Sequence, residues 1–189
     1  TTKRRTFRNV VGHAKGVVSL RDLNAWSNEN YDPELDWGKV RKLRDKWGGK
    51  LILKGILDAE DARMALDVGA DAILVSNHGG RQLDGALSTI RSLPQVVRAV
   101  GDQMEVYLDG GIRSGQDVLK ALAMGAQSTF IGRSYLYGLG AMGQAGVTSA
   151  LQVIQKEIDI TMALCGVQHA REFSREHVLV PEGFEGRWE

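Results

Sequence analysis

The chain has 189 residues, 43% of them hydrophobic and 25% charged, with a formal net charge of +1. That composition belongs to an ordinary soluble globular protein with enough apolar residues for a sizeable core, and disorder is not the default reading. Its one cysteine, Cys165, excludes an internal disulfide framework and a cysteine-based metal site, and no apolar run approaches the roughly 18 to 20 residues that cross a bilayer.

Charge is placed unevenly: residues 1–50 hold 12 Lys+Arg against 6 Asp+Glu, and residues 51–189 hold 12 against 17. Residues 1–35 show no sustained apolar period and read as a mobile basic loop segment. In it Lys3, Arg4, Arg5, Arg8 and Lys15 are either solvated or set against an acidic surface such as a membrane face. No apolar stretch follows this basic start, as a secretory signal would require, and no nucleic-acid partner is expected.

Residues 36–189 read as one body. Asp36 is a plausible N-cap for a helix carrying Val40, Leu43 and Trp47 at helical spacing, and Gly48 and Gly49 end it. A rhythm then sets in: an apolar run Leu51 to Ile56, a helix from Asp58 to Val68 and a strand from Asp71 to Ser76. A helix near Ser88 to Val100 leads to the strand Glu105 to Leu108. A further helix, Ser114 to Met124, leads to the strand Gln127 to Ile131 and another helix from Ser134.

These are four βα units, the pattern of a parallel sheet covered by helices, and the class is α/β. A long helix follows in which Val147, Leu151, Ile154, Ile158 and Met162 form one stripe, expected to pack across the outside of the sheet, with Cys165 a structural thiol at its end. Ala170 to Glu189 has room for a short helix and an extended tail. Spacing alone leaves open whether the four units form a doubly wound sheet or half of an eight-unit barrel; in both, sites lie at the C-terminal ends of strands.

Three clusters at those ends carry candidate chemistry. Gly132-Arg133-Ser134, between a strand and a helix start, suits an anion, because helix N-termini offer free N–H groups and a positive dipole end. One unit earlier, Asp109-Gly110-Gly111-Ile112-Arg113 repeats the design, although such glycines also serve tight αβ turns. The second cluster, Ser76-Asn77-His78-Gly79-Gly80-Arg81, sets a histidine able to take a proton near neutral pH beside an arginine able to grip a carboxylate. The third is Lys54, which ends the run Leu51-Ile52-Leu53 and is either a snorkelling strand terminus or a fixed positive charge beside a cofactor. His13, His169 and His177 have no comparable setting, and no residue is assigned to a metal.

Leu53-Lys54-Gly55-Ile56, the segment Ser76 to Gly85, Asp109-Gly110-Gly111-Ile112-Arg113 and Gly132-Arg133 with Leu136-Tyr137, in that order, resemble the FMN-dependent 2-hydroxy acid dehydrogenase and oxidase family. That family includes flavin L-lactate dehydrogenases, glycolate oxidase and mandelate dehydrogenase, and the resemblance runs from Trp37 to about Leu179. It implies a (β/α)₈ TIM barrel of which these are the last four units. FMN would be contacted by Lys54 near its N1 and O2, by Ser76, and by Asp109, Gly110, Gly111, Arg113, Gly132 and Arg133 along its ribityl and phosphate groups. It further implies His78 as catalytic base and Arg81 as substrate carboxylate anchor, both beside the flavin.

The activity implied is oxidation of an L-2-hydroxy acid, L-lactate first, to the 2-oxo acid. Electrons would pass to a quinone or other carrier or, in an oxidase, to oxygen. The family's first four strands have no counterpart, so a missing N-terminal half is expected as a partner and the chain is not expected to fold stably alone. A homotetramer in the cytoplasm, peripheral at the inner membrane face, completes the expectation. The competing readings are a barrel aldolase using Lys54 in a Schiff base and a non-catalytic phosphate-binding half-barrel.

Overall fold

The computed structural model describes Ala14, Gly16, Val17 and residues 19–31 and 33–184. Lys3, Arg4, Arg5, Arg8, His13 and Lys15 lie outside the described residues. The chain divides into two compact units, Thr1–Val40 and Arg41–Glu189, a boundary five residues later than the sequence suggests.

Within residues 1–35, expected to be loop, Leu20–Glu29 instead forms helix α1. A capping box starts it: the Ser19 hydroxyl accepts from the Asp22 N–H at 3.2 Å, and the Asp22 carboxylate accepts from the Ser19 N–H at 2.9 Å. Most of this helix is exposed, including Trp26, so no apolar stripe marks it in the sequence. Helix α2 (Trp37–Lys46) begins where expected, with Asp36 Oδ1 accepting from the Lys39 N–H at 2.7 Å.

In the second unit four strands form one sheet in the order β1-β2-β3-β4: β1 (Ile52–Ile56), β2 (Ala72–Val75), β3 (Glu105–Leu108) and β4 (Ser128–Thr129). Every pairing is parallel. Helices α3 (Ala59–Asp67), α4 (Thr89–Val100) and α5 (Gly115–Ala123) make the crossovers, followed by α6 (Arg133–Met142) and α7 (Gln144–Cys165). Local chemistry sets the helix starts. Asp58 accepts from the Glu60 and Asp61 N–H groups, and Ser114 and Asp117 form a second capping box.

The core lies between the sheet and its helices. Ile73, Leu93, Val96, Val106 and Leu108 are fully buried there, each contributing about 1.5–3 kcal/mol relative to exposure. The opposite face is covered at β2, where Ala72 and Leu74 are buried, and open toward the flanking strands. Val106 and Leu108 of β3 are buried, while the alternating Glu105 is exposed and Tyr107 half-buried, and Ile52 and Phe130 are 47% and 45% exposed. Parallel sheets are ordinarily covered on both faces, so this face and the two edge strands β1 and β4 leave the sheet half covered among the described residues.

Three local expectations change. β4 is two residues long instead of five, although Gln127 and Phe130 still donate to Val106 and Leu108 on the β3 side; an edge strand has a partner on one side only. Helix α7 packs chiefly on α6 and α5 instead of the sheet. Ile158 and Met162 join a cluster with Leu119, Ala123 and Phe173, while Leu151 is 51% exposed and Cys165 is exposed instead of structural. The α6–α7 crossing is closed by Gly138 and Gly146, where a Cβ on either would collide with the other's backbone.

Candidate functional site

The C-terminal ends of the strands converge on a cavity of about 190 Å³ whose walls include Lys54, His78, Arg81, Asp109, Arg113 and Arg133. Gly110, Gly111 and Gly132 also line it, so nine of the ten expected site residues meet in one place. The tenth, Ser76, is 2% exposed and touches that cavity through Lys54.

Lys54 sits in mid-strand instead of at the strand's end. The register of β1 against β2 shifts between Lys54 and Ile56, with Gly55 at φ 103°. A bulge of this kind re-aims neighbouring side chains, and here Lys54 Nζ lies 2.6 Å from Ser76 Oγ and 3.1 Å from Asp109 Oδ2. Three adjacent strands therefore contribute one cation, one hydroxyl and one carboxylate to a single knot. Both partners of Lys54 are acceptors suited to an ammonium group, an arrangement for a fixed charge and not for the amine of a Schiff base.

Asp109 holds Lys54 with one oxygen only. Its Oδ1 is shielded from solvent and has no hydrogen-bond partner among the described residues. Native proteins seldom leave a buried acceptor unmatched, so an orphan on a residue that lines a cavity is a candidate partner for a donor from a ligand.

After β2 the chain turns sharply: His78, Gly79 and Gly80 have φ of 55°, 69° and 72° in succession. Glycine adopts this left-handed region freely, but a histidine there is uncommon and costs of order 1 kcal/mol or more. The turn is held by the His78 N–H donating to Ser76 Oγ at 3.1 Å and the Gly80 N–H donating to the Asn77 carbonyl at 2.9 Å. Ser76 Oγ is thus the shared acceptor for Lys54 and for the backbone of His78.

The two glycine–arginine loops differ more than their sequences suggest. At the start of α5 the Gly115 N–H donates to Glu157 at 2.7 Å, and the Arg113 and Ser114 N–H groups donate to Asp117 at 3.0 and 2.9 Å. Protein carboxylates therefore already occupy that helix end. Helix α6 has no side-chain cap at Gly132, so of the two its N-terminus is the one left open to an anion, while Arg113 lines the cavity with its N–H already taken by Asp117. Arg133 reaches from this helix start to the Gly79 carbonyl at 3.5 Å, joining the anion end to the His78 turn.

Gly110 and Gly111 have φ of 85° and 97°, and a Cβ on Gly110 would stand 3.0 Å from Asn77 Oδ1 and 3.1 Å from Thr89 Oγ1. Glycine is required there for close approach as well as for backbone conformation. Sequence reading passed over Asn77 and Thr89, whose packing against Gly110 brings together loops distant in the chain. His177 stacks on Phe173 with ring centroids 4.8 Å apart and His169 is exposed, both away from this cavity.

The cavity thus brings together the uncapped start of α6, Arg113, Arg133, the carboxylate of Asp109 with one oxygen unmatched among the described residues, and the tethered Lys54 ammonium. Comparison with known proteins identifies the family. The family model described as FMN-dependent dehydrogenase matches residues 2–180. An L-lactate dehydrogenase of Caulobacter vibrioides (strain NA1000 / CB15N) is 51% identical over 158 residues, 84% of this chain and 40% of that protein. Among solved structures, a monotopic membrane protein, (S)-mandelate dehydrogenase, superposes with a TM-score of 0.81 at 40% identity over 88% of this chain and 44% of its own. A mandelate oxidase variant with a monooxide FMN adduct gives a TM-score of 0.71 at 46% identity over 75% and 45%. This chain spans less than half the length of each of these proteins, and its four βα units are part of an α/β barrel of the (β/α)₈ kind. The chain belongs to the family of FMN-dependent dehydrogenases.

Proposed function

We propose that this chain carries the flavin-binding and acid–base part of an enzyme that oxidises an L-2-hydroxy acid, L-lactate first, to the 2-oxo acid. The carrying observation is the meeting of the Lys54–Ser76–Asp109 knot with His78, Arg81, Arg113 and Arg133 around one cavity.

The residues present fit FMN. Arg133, Gly132 and the open start of α6, with Arg113 and Gly111, would hold the phosphate; the unmatched Asp109 Oδ1 would accept from a ribityl hydroxyl. Gly110 lets the backbone come close, and Lys54 and Ser76 would face the ring. When bound, FMN supplies a two-electron acceptor, which no side chain here can provide.

The protein's part is charge and orientation. Arg81 pairs with the substrate carboxylate and fixes which face of C2 is presented. An imidazole nitrogen of His78 takes the proton released as the hydroxy acid is oxidised, a task suited to histidine near neutral pH. Lys54, held by Asp109 and Ser76, is a preorganised positive charge that needs no reorientation as negative charge develops beside it.

The reading extends to the rest of the protein. The open sheet face and the two edge strands would be completed by the N-terminal half of the same barrel, in a homotetramer. Reduced flavin would pass electrons to a quinone or other carrier. Peripheral attachment at the inner membrane face draws support from the monotopic neighbour; no described helix is long and apolar enough to cross a membrane.

The test is the visible spectrum of the purified protein before and after anaerobic L-lactate. A flavin band that bleaches supports the proposal; one that stays oxidised with L-lactate and with other 2-hydroxy acids overturns it. Peroxide release in air would assign oxygen as acceptor, the oxidase alternative.

A further inference from the structure

We infer that Asn77 is a positioning residue for the base: its side chain holds His78 in the left-handed conformation it adopts in the cavity wall. This rests on the role given to His78 above and adds a residue to which that role assigns nothing.

Asn77 Oδ1 accepts from the Gly79 N–H at 3.0 Å, and its backbone carbonyl accepts from the Gly80 N–H at 2.9 Å. The two bonds enclose His78, at φ 55°, and require the chain to turn there. Asparagine side chains that bond the backbone two residues on mimic a turn and compensate for left-handed strain. The amide's other end is also engaged, since Nδ2 donates to the Leu87 carbonyl at 3.4 Å, across the 81–87 loop. The side chain is backed by Gly110, where any Cβ would press on Oδ1 at 3.0 Å, and Gly110 is fixed in turn by Thr89 Oγ1 donating to its carbonyl at 3.0 Å. Thr89 is 1% exposed, so this support comes from the core.

Of the two bonds made by the Asn77 side chain, that to Gly79 is the shorter and lies next to the strained residue. The backbone placing of His78 therefore depends on an acceptor at position 77, and the donor to Leu87 is secondary. A serine places an acceptor within reach of the same N–H but cannot reach Leu87, which separates the two functions.

The experiment compares wild type, Asn77→Ala and Asn77→Ser as FMN-loaded protein. Three quantities are followed: anaerobic flavin reduction by L-lactate across pH, FMN affinity by fluorescence quenching, and amide hydrogen exchange at Gly79. Asn77→Ala is expected to slow flavin reduction by roughly 10- to 100-fold, the scale of a small misplacement of a reacting group, with KM and FMN affinity within about twofold. Exchange at Gly79 accelerates about tenfold or more as its acceptor is lost, and Asn77→Ser recovers most of both losses.

The inference is overturned if Asn77→Ala keeps the wild-type reduction rate, if serine is no better than alanine, or if the loss falls on FMN affinity. Should alanine prevent folding, the serine variant alone decides, by near-normal reduction and exchange or by failure in both. If wild-type flavin is not bleached by any 2-hydroxy acid, the proposed function fails; the Gly79 exchange rates still decide whether Asn77 holds the turn.

Discussion

Asp109→Ala separates a residue kept for a ligand from one kept for the fold. In the folded chain Asp109 makes one ion pair, to Lys54 at 3.1 Å, with the two side chains 18% and 45% exposed. Pairs this accessible to solvent contribute about 0.2–1 kcal/mol. Against that stands Oδ1, buried without a partner, an arrangement that costs about 1–3 kcal/mol and is relieved by truncation. The terms nearly cancel, and Lys54 keeps Ser76 as an acceptor, so unfolding without FMN should shift by no more than about 1–2 kcal/mol, or roughly 2–8 °C in Tm, in either direction.

With FMN the balance changes, because a hydrogen bond to a charged acceptor contributes about 1.5–3 kcal/mol. The variant should bind FMN roughly 10- to 150-fold more weakly, at 1.36 kcal/mol per decade. Thermal unfolding by circular dichroism with and without FMN, together with a fluorescence titration, reads both quantities. FMN affinity within threefold of wild type would refute the assignment of Oδ1 to the ligand. A loss of more than about 4 kcal/mol in the FMN-free protein would show Asp109 to be structural.

Three further outcomes are expected. Gly146→Ala forces a Cβ into the Gly138 carbonyl at the α6–α7 crossing and should cost about 1–3 kcal/mol or more in denaturant unfolding, while Gly140→Ala, where a Cβ meets nothing within 4 Å, should cost little. The Asp71 carboxyl is held below its ordinary range by the hydrogen bond from Lys50 and then by the Leu51 N–H, with Lys50 and Arg44 charges assisting against burial. Its stabilising contribution is present above the unfolded carboxylate value near ~3.9 and is lost as pH falls through the lower folded value; Asp71→Asn should flatten that acid limb in pH-dependent unfolding. Arg133→Met should weaken FMN about tenfold or more yet leave riboflavin, which has no phosphate, nearly unaffected in the same titration.

Much of this molecule is local and so is legible in the chain. Strands such as Ala72-Ile73-Leu74-Val75 are buried along their whole length, and the caps at Asp36, Asp58 and Ser114 act on N–H groups two or three residues away. Those signals depend on nearest neighbours, which is why the βα rhythm and the placing of His78, Arg113 and Arg133 after strands survive in the structure. Helix α1 escaped because an exposed helix shows no apolar stripe; its Ser19–Asp22 box was the available signal.

Tertiary structure decided what depends on groups far apart in sequence. Lys54 meets Asp109 only because β1 and β3 flank β2, and its aim is set by a bulge at Gly55 that no pattern of apolar residues reports. Glu157, on α7, takes the N-terminus of α5 and leaves that of α6 open, so two loops alike in sequence differ in what they can bind. The order of hydrophobic and polar residues determines which elements form, because backbone bonding and burial are satisfied within each element. Which polar atoms remain unmatched, and hence where a ligand is held, follows only when distant elements have claimed their partners.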